Sequence, residues 1–339
     1  MSISKEKYDI LDTLGHGFFG EVFLVHHRHL DRNEAAKIIK TKKFNKAMEE
    51  AKNIQQLSHE NIIHIYDADI LADRSGIIIT MEYHRRRSIT NINFISRQQL
   101  VDYAIHILRA LEYAHGKGFI HRDIKPNNIL LNEQKRAILT DFGLSSKINE
   151  IAKAPPYQYR YHIAPEILKD KDIENVKTDI YALGVTLHRL INGDPNWLNT
   201  IDTDNLDEKI VRGEYPDRTN YRTDIPKSLR NIINKALNVN PIKRYQSAKD
   251  MLKDIEKKAI FKYDWEKDRK SWNSRTGKLD IKITVNKNKG HFDIITSKKS
   301  IDAAEFRKIR SHCFSNIEKS KVDENIREII SELDSEQKS

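Results

Sequence analysis

His121-Arg122-Asp123-Ile124-Lys125-Pro126-Asn127-Asn128-Ile129-Leu130 stands a short loop ahead of Asp141-Phe142-Gly143. The run offers a carboxylate able to orient an alcohol and a lysine able to neutralise a phosphoryl group. It also offers an amide and a second carboxylate, hard oxygens suited to Mg²⁺. Phosphoryl transfer from ATP passes through a loose, charge-rich transition state that is stabilised mainly by positioning and charge compensation. Taken singly, each Asp or Asn in a loop is a turn former; four such groups in this order make that reading poor. A second run, Gly15-His16-Gly17-Phe18-Phe19-Gly20-Glu21-Val22, lets backbone N–H groups approach phosphates with no Cβ in the way. A strand, not a helix, follows these glycines, which argues against a dinucleotide-binding turn.

These motifs, in this order, resemble those of the eukaryotic-like protein kinases, and the resemblance covers about Tyr8 to Lys258. It implies an α+β, bilobal protein kinase fold: a β-rich N-lobe over 8–81, a hinge at 82–87 and an α-helical C-lobe over 88–260. It implies ATP and Mg²⁺ as cofactors and a protein as substrate. Asp123 would orient the acceptor hydroxyl, Lys125 would contact the γ-phosphoryl group, and Asn128 and Asp141 would hold the metal. In Ala35-Ala36-Lys37, Ala35 would line the adenine pocket and Lys37 would hold the α- and β-phosphates, paired with Glu50 on the next helix. Met81-Glu82-Tyr83-His84 resembles the hinge, with Met81 as gatekeeper. Arg122 resembles the arginine that pairs with an activating phosphate, and Glu166, Asp179 and Arg244 resemble structural supports. Lys125 favours a protein substrate and serine/threonine acceptors.

The activation segment departs from that pattern. The family's Gly-Thr before Ala164-Pro165-Glu166 is replaced by Gln158-Tyr159, inside Tyr157-Gln158-Tyr159-Arg160-Tyr161-His162, and no threonine lies between Asp141 and Ala164. Candidate phosphosites, with autophosphorylation expected, are Ser145, Ser146, Tyr157, Tyr159 and Tyr161. The alternatives are a tyrosine or dual-specificity kinase, or a catalytically weak scaffold.

Composition fits a globular chain: 38% hydrophobic, 32% charged, with one cysteine, so no internal disulfide framework exists. A polar amino terminus and the lack of a long apolar run lead to the expectation of a cytoplasmic protein with no membrane span. The net charge is +10, and residues 262–310 carry fourteen Lys/Arg against seven Asp/Glu. Such a concentration can mark an acidic partner or a nucleic acid; Trp265, Trp272 and Phe292 could stack bases, although aromatics buried in a small core are the commoner case.

Periodicity places strands over 8–40, 62–70 and 77–81. Helices are expected over Phe44–Leu57, from Arg97 to about Gly116, and over Asp179–Ile191, Leu229–Leu237 and Ala248–Ile255. Residues 261–339 read as a small basic α+β extension. Ile281, Ile283 and Val285 alternate with polar residues and lead through a turn to Phe292 and Ile294, a hairpin. Asp302 and Glu305 would cap a helix carrying Phe306, Ile309, Cys313 and Ile317, and Ile326, Ile329, Ile330 and Leu333 mark a last helix. So small a unit should dock on the large lobe or on a partner.

Overall fold

Five antiparallel strands open the chain: β1 (Tyr8–Gly17), β2 (Gly20–His27), β3 (Arg32–Lys40), β4 (Ile65–Ile70) and β5 (Gly76–Glu82), in the order β1-β2-β3-β5-β4. They belong to a computed structural model that describes residues 6–17, 20–90, 92–142, 146–147, 160–170, 174–199, 201, 204–268 and 271–335. The period of two along β3 sends Ala36 and Ile38 into an outer cluster with Tyr8, Val25 and Leu71. Ala35 and Lys37 therefore point to the opposite face, over the cleft. Helix α1 (Phe44–Gln55) packs on that side and buries Ala51 and Ile54. Gly20 holds φ +134°, and a Cβ there would lie 1.8 Å from the Ile38 carbonyl oxygen, so β2 can only lie this close to β3 with glycine.

The second lobe is helical. Helix α2 (Arg97–Gly116) starts at a capping box in which the Ser96 hydroxyl accepts from Gln99 N–H and Ser96 N–H donates to the Gln99 side chain. Leu100, Ala104, Leu108, Leu111 and Ala114 form its buried stripe. Short strands β6 (Arg86–Ser88), β8 (Ile129–Leu131) and β9 (Ala137–Leu139) make one small sheet, and β7 (Phe119–Ile120) pairs with β10 (Ser146–Lys147). Then follow α3 (Pro165–Asp170), α4 (Val176–Ile191), α5 (Asp194–Asn199), α6 (Leu206–Arg212), α7 (Lys227–Ala236) and α8 (Ala248–Lys258). Helix α4 is buried from Thr178 to Ile191, as befits a helix apolar on most faces. Gly184 lets α7 approach it closely, since a Cβ there would sit 3.1–3.2 Å from Ala236 and Leu237.

The last unit is a sheet of six strands covered by one helix. Strands β11 (Glu266–Lys267), β12 (Ser271–Arg275), β13 (Leu279–Asn288), β14 (His291–Ser300) and β15 (Arg307–Lys308) lie in sequence order, and β16 (Phe314–Ile317) also pairs with β14. Helix α9 (Val322–Ser335) buries Ile326, Ile329, Ile330 and Leu333 against Ile281, Ile283 and Ile294. The expected helix through Phe306, Ile309, Cys313 and Ile317 does not form. That segment supplies β15 and β16 instead, because β14 would otherwise leave a row of backbone donors and acceptors unpaired along its edge. Trp265 and Trp272 are 0% and 3% exposed and form the core of this unit, the buried-aromatic reading rather than the base-stacking one.

The extension docks on the helical lobe. Arg97, fully buried at the first turn of α2, donates to the carbonyls of Tyr263 (3.1 Å) and Asp224 (3.3 Å) and meets the Asp334 carboxylate at 2.7 Å. A cation at a helix N-terminus opposes the helix dipole, and Asp334 supplies the compensating charge. Burial pushes the Asp334 carboxyl up from its ordinary value, and Arg97 works against that rise. Phe94 packs against the extension's core, with the Arg222 guanidinium 4.0 Å above its ring. No described helix is long and apolar enough to cross a membrane.

Candidate active site

A cleft of about 540 Å³ separates the two lobes. Its roof comes from the first sheet: Gly15, Val22, Ala35 and Lys37. Its back wall is the chain between the lobes, where Met81, Glu82 and His84 line it, and its floor carries Asn128 and Asp141. His84 is buried and its Nε2 lies 3.5 Å from Glu82 Oε2. Tyr83, part of the hinge motif, lies on the same walls, and the sequence reading gave no role to Leu14, Leu130 and Thr140 there. Leu14 and Thr140 adjoin residues already singled out, which was a usable signal. Ser88 and Thr90 also reach the cleft; only the path of the chain beneath β5 brings them there.

The catalytic-loop residues converge on Asp123, which is 7% exposed. Lys125 Nζ lies 2.8 Å from Asp123 Oδ2, and Asn128 Nδ2 donates to the same oxygen at 2.9 Å and to the Asp123 carbonyl at 2.8 Å. With both amide hydrogens used, Asn128 Oδ1 remains as its acceptor. Lys37 Nζ bonds the Asp141 carboxylate across the cleft. Burial pushes the Asp141 carboxyl up, but the Lys37 ammonium outweighs it, so the group sits below its ordinary value and stays ionised. Asn128 and Asp141 thus present hard oxygens, fit for a Mg²⁺ that takes its other ligands from phosphates and water. Among the described residues no cluster of three or more His, Cys, Asp or Glu is placed to hold a metal by itself.

The loop is held from below. Asp179, on the first turn of α4, is 1% exposed and accepts from His121 N–H (2.8 Å), Arg122 N–H (2.8 Å) and His115 Nε2 (2.9 Å). Burial opposes its ionisation, and these donors more than offset it, so its carboxyl lies below the ordinary value. Two loop residues, Arg122 (φ 71°) and Asp141 (φ 67°), adopt left-handed backbone, a strain of roughly 1–3 kcal/mol each that surrounding bonds must hold. Burial also lowers the His121 pKa, and the ring bonds the Thr140 carbonyl at 3.0 Å, tying the loop to the strand before Asp141.

The protein kinase domain family matches residues 8–255. The chain belongs to the protein kinase family. It is 30% identical over 270 residues to a probable serine/threonine-protein kinase of Clostridium perfringens, covering 74% of this chain and 38% of that protein. It is 30% identical over 264 residues to the serine/threonine-protein kinase PrkC of Bacillus subtilis, covering 74% and 40%. Against the serine/threonine-protein kinase STE20 of Debaryomyces hansenii the identity is 31% over 207 residues, 57% of this chain and 18% of the relative. The match thus spans about two fifths of the length of the first two relatives.

In this kinase the residues read from the sequence as supports sit as follows. Arg244 makes a bidentate pair with Glu166 (2.6 and 2.7 Å) and also donates to the Lys177 and Val239 carbonyls. Arg122 pairs with Glu174, a residue given no role in the sequence reading, Nε to Oε2 at 2.8 Å. Glu50 lies on α1, but its side chain falls outside the described residues, as do Phe18, Phe19, Ser145, Tyr157 and Tyr159 and the side chains of His16 and Ser146. Gly17 pairs with Gly20 at the turn of the glycine-rich loop. Tyr161 is half-buried, with its ring edge-on to Trp197 at 6.3 Å and its carbonyl accepting from Tyr215 Oη at 3.1 Å. His162 is buried, and its pKa falls well below the ordinary value through burial and the nearby Arg189 and Lys125 charges.

Proposed function

We propose that the chain is a Mg²⁺-ATP-dependent serine/threonine protein kinase that transfers the γ-phosphoryl group to protein hydroxyls and phosphorylates itself. The observation that carries this reading is the convergence of Lys37, Asp123, Lys125, Asn128 and Asp141 on one interlobe cleft. Bound Mg²⁺ would supply charge neutralisation on the phosphate oxygens. Asp123 orients the acceptor hydroxyl and takes its proton late in the transfer. Lys125, beside that carboxylate, balances charge on the moving phosphoryl group, and Lys37 steadies the remaining phosphates while keeping Asp141 ionised. The serine/threonine names of the relatives and the presence of Lys125 support that acceptor class. Tyr161, packed on Trp197, is a poor acceptor for modification. A cytoplasmic location is part of the same reading.

The test is incubation of the purified chain with labelled ATP and Mg²⁺, beside Asp123→Asn, followed by identification of the labelled amino acid. Label on serine or threonine in the wild type alone supports the reading. Equal turnover in Asp123→Asn refutes it, and phosphotyrosine moves the assignment to a dual-specificity enzyme.

A second reading concerns the extension. Cross-strand register sets Arg275, Lys282, Lys299 and Lys308 on the sheet face opposite α9, with Asp280 between Arg275 and Lys299. That face suits an acidic partner or a nucleic acid. A steep loss of polyanion affinity with salt supports it, and a salt-indifferent affinity removes it.

A further inference from the structure

The charge of Arg122 is met from within the fold. Its side chain is 3% exposed, Glu174 is 4% exposed, and Nε to Oε2 is 2.8 Å. A guanidinium this deeply buried is tolerated only when paired. Glu174 stands immediately before Asn175, the N-cap of α4, whose side chain accepts from Lys177 N–H. Asp179, one turn further along the same helix, binds the backbone N–H groups of His121 and Arg122. One helix start therefore grips the catalytic loop twice, by Arg122's backbone and by its side chain. The space around the pair is a cavity of only about 20 Å³ bordered by Asp123, His162 and Ala164.

We propose that Glu174 is a positioning residue, the built-in counter-anion of Arg122, so that the catalytic loop is set without a phosphate on the activation segment. This extends the kinase reading and rests on it. A phosphate brought to Arg122 would enter a site that already holds a carboxylate, where like charges repel. Arg122 is strained backbone next to Asp123, so its side-chain anchor fixes where the Asp123 carboxylate points. Loss of that anchor should act on turnover more than on nucleotide binding, because Lys37 and the glycine-rich loop belong to the other lobe.

The experiment compares wild type, before and after phosphatase treatment verified by intact mass, with Glu174→Gln and Glu174→Asp. Hydrogen exchange in the segment 119–128 is read alongside phosphoryl transfer. Phosphate-free wild type should keep a protected loop and a kcat within about threefold of the phosphorylated form, while Glu174→Gln loses about tenfold or more in kcat at an ATP KM changed less than about twofold. Exchange in Glu174→Gln should rise in the loop and not in α8, and Glu174→Asp should recover most of the turnover. Activity or loop protection that vanishes on dephosphorylation overturns the proposal, as does Glu174→Gln with wild-type kcat. Global loss of protection in both variants overturns it too, since Glu174 would then be a folding residue. If neither form of the wild type transfers phosphate, the kinase reading falls and loop exchange alone decides the role of Glu174.

Discussion

Replacing Asp179 by Asn keeps the shape of the side chain and removes its charge. In the protein Oδ2 accepts two donors, His121 N–H and His115 Nε2, and Oδ1 accepts one, Arg122 N–H. The amide will turn its oxygen toward the two donors and its NH₂ toward Arg122 N–H. One bond to a charged acceptor is lost, about 1.5–3 kcal/mol, and a buried N–H is left facing another donor, about 1–3 kcal/mol. The expected loss is roughly 3–5 kcal/mol, or a fall in Tm of about 6–15 °C at ~2–3 °C per kcal/mol. Because burial and donors together leave the Asp179 carboxyl below 3.8, its ionised form contributes stability above that pH. That contribution is lost as pH falls through the lower folded value, so the gap between wild type and variant should narrow in acid. Thermal unfolding by circular dichroism across pH, paired with phosphoryl-transfer rates, measures both effects. A variant that melts within about 2 °C of wild type at pH 7 would show that Asp179 does not hold the loop.

Lys37→Met should free Asp141 from its opposing charge, leaving burial to raise its pKa; Mg²⁺-dependent nucleotide binding should then fail at a higher pH than in wild type, and an unmoved acid limb would contradict the pairing. Arg97→Ala should strip the half-buried Asp334 carboxylate of its countercharge, leaving it the Tyr263 N–H, and take the arginine donor from the Tyr263 and Asp224 carbonyls, at about 3–5 kcal/mol. The Asp334 carboxyl, already raised, should rise further. A raised folded pKa gives stability that is present in acid and lost as pH increases, so this variant should be most damaged at neutral pH, seen as proteolysis between residues 259 and 268. Resistance equal to wild type would mean that the latch carries no weight. Gly20→Ala should weaken nucleotide binding and lower Tm because its Cβ collides with the Ile38 carbonyl; unchanged affinity by calorimetry would remove the close-approach argument.

Local pattern told much of this protein before folding was considered. Alternation along β3 set Lys37 opposite Ile38, the 3.6-residue stripe of α2 marked its buried face, and spacing within 121–128 kept Asp123, Lys125 and Asn128 on one short loop. Those properties depend on neighbours a few residues away. The segment 302–317 shows the limit. Its apolar residues recur at helical spacing, yet the exposed edge of β14 offered better partners for its backbone. The Trp265 and Trp272 side chains, open to either reading in the sequence, became core once α9 closed over the sheet. Glu174 and Arg97 carry no motif. Each matters because tertiary structure buries an arginine, and a buried charge must find its partner wherever the chain happens to pass: 52 residues from Arg122 in one case, 237 residues to Asp334 in the other.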